Sequence, residues 1–204
     1  MKLTEAKLKE LINEVLEEGM KTIADLPEGV FITIEQGEFG PAAFYSNRKG
    51  KELPQSSPIF GIVSMEKPYK VADLACDNGL MVAFTESTDG FGPLIYDVAM
   101  EMATILSGGL VADRLEVSKD ALKVWNFYMR RRKDVSKKQL DNEDGELTPD
   151  IKVDDCQQAS ARDHTKKNKK WYDSSLSKIY SKAPTTLKQL EASGKLINKI
   201  NLKF

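Results

Sequence analysis

The sequence predicts an α/β or α+β domain, and three observations carry that prediction. Val30 to Glu35 is a β-branched, alternating run, which is a strand signature. Leu80 to Thr85 is a nearly continuous apolar run and reads as a strand buried on both faces. A glycine turn, Gly90-Phe91-Gly92, then opens an amphipathic segment, Leu94 to Leu106, so strand gives way to helix within a few residues. With 204 residues, the chain is long enough for one substantial core and an extension.

Bulk composition bounds the function. The chain is 41% apolar and 30% charged, and 30 basic residues face 31 acidic ones. Net charge therefore gives no global argument for nucleic acid or for a membrane surface. Cys76 and Cys156 lie far apart and form no motif, which points to a reducing compartment. No apolar run approaches the roughly 18 residues of a membrane span, and acidic residues interrupt the apolar positions of the N-terminus, against a signal peptide. A cytoplasmic protein with no membrane partner is expected.

Taken in order, residues 4–24 read as an amphipathic helix with Leu8, Leu11, Ile12, Val15, Leu16 and Met20 on one face. Thr4 can cap its start and Leu26-Pro27 ends it. It either packs on its own domain or docks on a partner protein. Val30–Glu35 is the first strand. Residues 37–58, rich in Gly, Pro, Ser and Asn, read as a loop. Its Phe39, Phe44 and Tyr45 either line a cleft or anchor the loop. Ile59–Met65 is the next strand, and Tyr69–Ala75 is a short helix or an edge segment. After Leu80–Thr85 and the glycine turn, the helix Leu94–Leu106 should bury Leu94, Ile95, Val98, Met102 and Ile105. Gly108–Ala112 reads as a short strand and Ser118–Arg132 as a helix. Residues 133–175 are dominated by Asp, Glu, Lys, Asn and Gln and are expected to be irregular. Trp171, Tyr172, Leu176, Ile179 and Tyr180 return as anchors. A last helix, Leu187–Ala192, stops at Gly194. The organisation expected is an N-terminal helix over 1–26, a core domain over 27–133, and a polar extension with a terminal helix over 134–204.

Chemistry is suggested only around the glycine turn. Gly90 and Gly92 let a ligand approach the backbone closely. Pro93 suits the first helical turn, and the helix N-terminus favours an anion such as pyrophosphate. A G-x-G-x-x-G dinucleotide fingerprint would need glycine where Ile95 stands, and no Gly-Lys-Ser/Thr follows to make a P-loop. An ordinary tight strand-to-helix turn is the plain alternative.

Over residues 59–130 the order of elements resembles the GNAT acetyltransferase superfamily. Gly90-Phe91-Gly92 matches the turn that grips the CoA pyrophosphate. Asp97-Val98-Ala99-Met100-Glu101-Met102-Ala103 matches the helix behind it, Gly109-Leu110-Val111-Ala112-Asp113 the next strand, and Ser118-Lys119-Asp120-Ala121-Leu122-Lys123-Val124-Trp125 the following helix. The spacing is also similar to that of acetyltransferase-like proteins of tailed bacteriophages.

The resemblance implies a GNAT-like central mixed sheet flanked by helices, and an acyl-CoA-dependent N-acyltransferase using acetyl-CoA. Val82, Ala83 and Phe84 would pair with pantetheine, and Gly90, Phe91 and Gly92 would hold the pyrophosphate. Glu86 would act as base, with Glu35 second. The family's thiolate-protonating tyrosine is Trp125 here, so Tyr128, three residues on and on nearly the same helical face, is the candidate acid. The alternative is a non-enzymatic bacteriophage virion or assembly protein that keeps the fold without a working cofactor site. Localisation would then be the host cytoplasm or the virion, with a protein partner on the N-terminal helix or the C-terminal arm.

Other groupings are weaker. Arg130-Arg131-Arg132-Lys133 either caps a helix C-terminus or contacts an anion such as nucleic acid. Lys166-Lys167-Asn168-Lys169-Lys170 with Trp171-Tyr172 is either a solvated tether or a nucleic-acid contact. His164 is the single histidine and lies in a polar stretch, so neither a zinc site nor a histidine-based catalytic pair is expected. Asp141 to Gly145 has glycine one position early for a calcium loop.

Overall fold

Alternation decides the first strand. Ile32 and Ile34 are fully buried on one face of β1 (Phe31–Gln36), and the chain reverses at a turn closed by the Gly37 N–H on the Gly40 carbonyl at 2.8 Å. In this computed structural model, residues 20–68, 79–88, 90–113, 117–140 and 173–204 are described. Among them are eight strands and three α-helices. After β1 come β2 (Pro41–Ser46), β3 (Gly61–Glu66), β4 (Leu80–Ser87), α1 (Gly92–Ser107), β5 (Leu110–Val111) and α2 (Lys119–Arg130). Then follow β6 (Val135–Gln139), β7 (Lys178–Lys182), α3 (Thr185–Ala192) and β8 (Leu196–Asn198). All strands join one mixed sheet in the order β6-β7-β5-β4-β3-β2-β1-β8. Two pairings are parallel, β4 with β5 and β1 with β8; the others are antiparallel. The α/β, α+β class expected from the sequence is therefore the class observed.

One face of the sheet holds the main core. Ile32, Ile34, Ala43, Tyr45, Val63, Met65, Leu80 and Val82 meet α1, α2 and α3 there. The other face carries a small cluster of Met81, Val111, Leu140 and Ile179. Helix α1 is the centre of the packing. It touches β2, β3, β4, β5, β7 and α3, so every residue from Leu94 to Ala103 is buried. The apolar stripe expected on this helix is thus too narrow at its start and too long at its end, because Ile105 is 37% exposed. Gly108 caps the helix in the left-handed region, φ 89°, with its N–H on Thr104, and this shortens the expected strand to Leu110–Val111.

Three other expectations are corrected. The loop assigned to 37–58 contains β2, because Pro41 is tolerated as the first residue of a strand and Phe44 and Tyr45 are core residues. Phe39 remains at the hairpin tip, 70% exposed. The polar stretch 133–175 contains β6, an edge strand with one buried residue, Val135, and three exposed ones. Charged side chains suit such an edge, so polarity did not exclude a ladder with β7. The helix assigned to 4–24 does not extend to its expected end: residues 20–22 are not helical and Ile23–Asp25 is a single 3-10 turn, tied by Thr22 and Asp25. The rest of that segment, Tyr69–Ala75, both cysteines, His164, Asp141–Gly145 and Lys166–Tyr172 lie outside the described residues. Residues after 134 supply β6, β7 and β8 to the same sheet and α3 to the core beside it. Among the described residues no helix is long and apolar enough to cross a membrane.

Candidate functional site

The site grows from a mismatch in strand length. β4 runs from Leu80 to Ser87, but it pairs with β5 only at Leu80–Leu110 and Met81–Val111. Among the described residues no pairing with β5 continues beyond Met81, and the β5-side edge of β4 runs on for six residues. At about 3.3 Å per residue this is roughly 20 Å of strand edge. A cleft of about 370 Å³ lies along it, within the usual range for small-molecule sites. Val82, Ala83, Phe84 and Thr85 line it from β4, Tyr96 from α1, Asp113 and Val117 from the connection, and Ser118, Ala121 and Trp125 from α2.

A bulge divides β4 into two registers. Ser64 opposes Phe84 while the next residue, Met65, opposes Val82, so Ala83 is the extra residue. Cross-strand partners share a face. Val63 and Met65 are fully buried in the main core, which puts their partners Thr85 and Val82 on the helix-covered face. Phe84 and Glu86, opposite Ser64 and Ile62, lie on the other face. Without the bulge, strict alternation would carry Phe84 and Glu86 to the helix side with Leu80 and Val82.

The structure brings together some of the residues expected from the sequence and separates others. Val82, Ala83 and Phe84 line the cleft, and Phe84 is 53% exposed. Glu86 is on the opposite face, where its carboxylate accepts a hydrogen bond from the Gln55 side chain at 2.6 Å. Glu35 binds the Lys199 ammonium at 2.7 Å. Gly90, Phe91 and Gly92 form the turn into α1. Gly90 has φ 82°, and its carbonyl accepts from the Lys21 N–H at 2.9 Å. Phe91 is a core side chain, edge-on to Tyr45 at 5.6 Å. The Tyr45 hydroxyl donates to the Phe91 carbonyl at 2.8 Å, which ties the turn to β2. Gly61 makes room for this, since a Cβ there would lie 2.8 Å from the Tyr45 ring. The N-cap residue of α1, Phe91, gives it no side-chain hydrogen bond.

Tyr128 faces away from the cleft. Its hydroxyl donates to Asp97 at 2.6 Å, with the Pro93 carbonyl at 3.2 Å, and it is not among the cleft-lining residues. Burial first, then the Asp97 charge, hold its phenol well above the usual tyrosine range. Asp97 is also clamped by Arg132 through two hydrogen bonds of 2.8 and 2.9 Å. Arg132 reaches Asp134 as well, at 2.7 Å from two nitrogens, and this bridge lowers the Asp134 pKa. One member of the basic run after α2 therefore serves the fold.

Tyr96 and Thr85 are lining residues that sequence reasoning missed, while Trp125, matched from the sequence to the family's tyrosine, lines the cleft as well. Trp125, 1% exposed, stands edge-on to Tyr96 at 5.8 Å and against Tyr180 at 5.1 Å. Ser118 caps α2 at the cleft rim, accepting from the Ala121 N–H at 3.1 Å. Among the described residues no group of three His, Cys, Asp or Glu side chains is placed to hold a metal ion. The arrangement offers an open strand edge for an extended ligand rather than a cluster of reactive side chains.

No family model, curated protein or solved structure matches the chain.

Proposed function

We propose that the chain is a GNAT-like acyl-CoA-dependent N-acyltransferase, of the kind encoded by tailed bacteriophages, acting on an amine. The observation that carries this reading is the departure of β4 from β5, which leaves a strand edge beside a 370 Å³ cleft. An extended pantetheine arm can pair with such an edge as a further strand would. The N-terminus of α1 lies just beyond the end of the edge and suits the diphosphate of the same ligand.

In this reading the amine attacks the thioester carbonyl, a β4 backbone N–H near Phe84 stabilises the oxyanion, and the C–S bond breaks with its electron pair moving to sulfur. Glu86, about 7 Å further along β4 than Phe84, takes the amine proton through water rather than directly. Because Glu86 faces away from the helices, the acceptor approaches the strand edge from that face.

Calorimetry with acetyl-CoA tests the proposal. The expected result is micromolar binding by the wild type and a loss of at least about 100-fold in Gly92→Trp, with the melting temperature recorded for both proteins. A Cβ at Gly92 would meet the Ser87 hydroxyl at 2.8 Å, and the indole would block the turn. A wild type that ignores millimolar acetyl-CoA would sink this reading.

One observation favours a second reading. Residues 87–95 contain no lysine or arginine, and Asp89 adds a negative charge there, which opposes a diphosphate. On that reading the protein is a non-enzymatic bacteriophage virion or assembly component, holding a protein partner through its N-terminal segment or C-terminal arm.

A further inference from the structure

All four described tyrosines are buried, and three of them donate to the protein. Tyr45 donates to Phe91, Tyr128 to Asp97 and Tyr180 to Ser175. The fourth, Tyr96, is 3% exposed, and its hydroxyl makes no hydrogen bond of ordinary geometry, its interaction with the Thr85 side chain being a weak one. Its ring is held by Trp125 at 5.8 Å and Tyr128 at 6.5 Å. It lines the cleft, and the polar side chain beside its hydroxyl is Thr85, on the cleft-lining strand. A buried hydroxyl left without a well-formed hydrogen bond is costly, and Tyr96 is one of the residues that line the cleft.

We propose that Tyr96 is a ligand-binding residue whose hydroxyl donates to an amide carbonyl of a bound pantetheine arm. This rests on the acyl-CoA reading above and assigns the contact within it. Length decides which part of the arm is reached. From the phosphate ester oxygen to the sulfur the arm has about twelve bonds, the backbone of about four residues, or roughly 14 Å when extended. With the diphosphate at the start of α1, beside Ser87, the sulfur falls near Ala83. Thr85 is about 7 Å back from Ser87. The two amide carbonyls of the arm fall at about 5 and 9 Å on the same scale, so Tyr96 meets the middle of the arm and not its reacting end. Its acidity agrees. Burial, opposed by Thr85, pushes the phenol up to about 12, above an ordinary thiol at about 8.5, so its proton stays on oxygen when a thiolate is present.

The test is calorimetry on the full chain, wild type against Tyr96→Phe, with two probes: CoA, and 3′-phospho-ADP, which is its nucleotide half without the arm. The expected result is about tenfold weaker CoA binding in the variant and unchanged binding of the nucleotide. Because the substitution removes only a hydroxyl with a weak Thr85 contact, the melting temperature should hold, and it is measured alongside. Equal CoA affinity in the two proteins overturns the assignment, and means that water or another group satisfies the hydroxyl. Equal CoA affinity with slowed thioester consumption also overturns it, in favour of proton donation to sulfur. A wild type that binds neither probe overturns the acyl-CoA reading itself, a result distinguishable from the other two.

Discussion

Replacing Glu101 with alanine is expected to cost about 3–5 kcal/mol of unfolding free energy, a large part of the roughly 5–15 kcal/mol of a typical domain. Glu101 is fully buried in α1. Its carboxylate accepts from the Thr186 N–H at 2.8 Å and the Leu187 N–H at 2.7 Å, from the Thr185 hydroxyl at 3.2 Å, and from the Lys182 ammonium. Helix α3 has no capping side chain of its own. Glu101 therefore supplies the cap from another helix, satisfying two N–H groups that α3 cannot satisfy internally. Removing it leaves those donors unpaired and strands Lys182, whose side chain is 3% exposed. Among the described residues Asp97 is the remaining carboxylate near that ammonium, at 3.7 Å. Urea unfolding of Glu101→Ala checks the loss. Lys182→Met in the same chain should recover part of it by removing the stranded charge. A change below about 1 kcal/mol would show that the network is replaceable.

Trp125→Ala is the second large effect, again about 3–5 kcal/mol. The indole separates the cleft from the core beneath it, between Tyr96 and Tyr180. Its loss opens a cavity that the surrounding rings cannot fill without leaving their own contacts. Trp125→Phe should keep most of the stability, because an aromatic edge remains for Tyr96 and Tyr180. The measurement is the urea midpoint of all three proteins, with calorimetric CoA binding beside it. A cleft wall predicts that affinity falls together with stability in Trp125→Ala and returns with phenylalanine. Affinity that survives the alanine substitution would mean that the ligand site lies elsewhere.

Much of the site could be read from local signals, and the failures have definite causes. Val82, Ala83 and Phe84 were accessible because an apolar run before a glycine turn marks a strand leading to a helix. The turn itself was accessible because Gly90 needs a positive φ. Tyr96 was hidden because the helix that carries it is buried on every side, so no polar face set it apart. Glu86 was assigned to the strand end correctly, but its face depended on the bulge at Ala83, and nothing in an apolar run announces where an extra residue will sit. Tyr128 followed from helical spacing after Trp125. Spacing places a residue on a helix face but does not choose its partner, and Asp97 of α1 took the hydroxyl.

By itself the sequence determined what is local in this protein. Hydrophobic period, glycine and proline placement and the capping serine set the class of each strong element: β1, β3, β4, α1, α2 and α3. The tertiary structure alone decided what depends on residues distant in the chain. It decided that polar residues 135–139 form an edge strand, that Glu101 caps a helix some 85 positions away, and that β5 is too short to cover β4. Local structure comes from backbone preferences over a few residues. The cleft comes from a mismatch between strands whose pairing no single segment encodes.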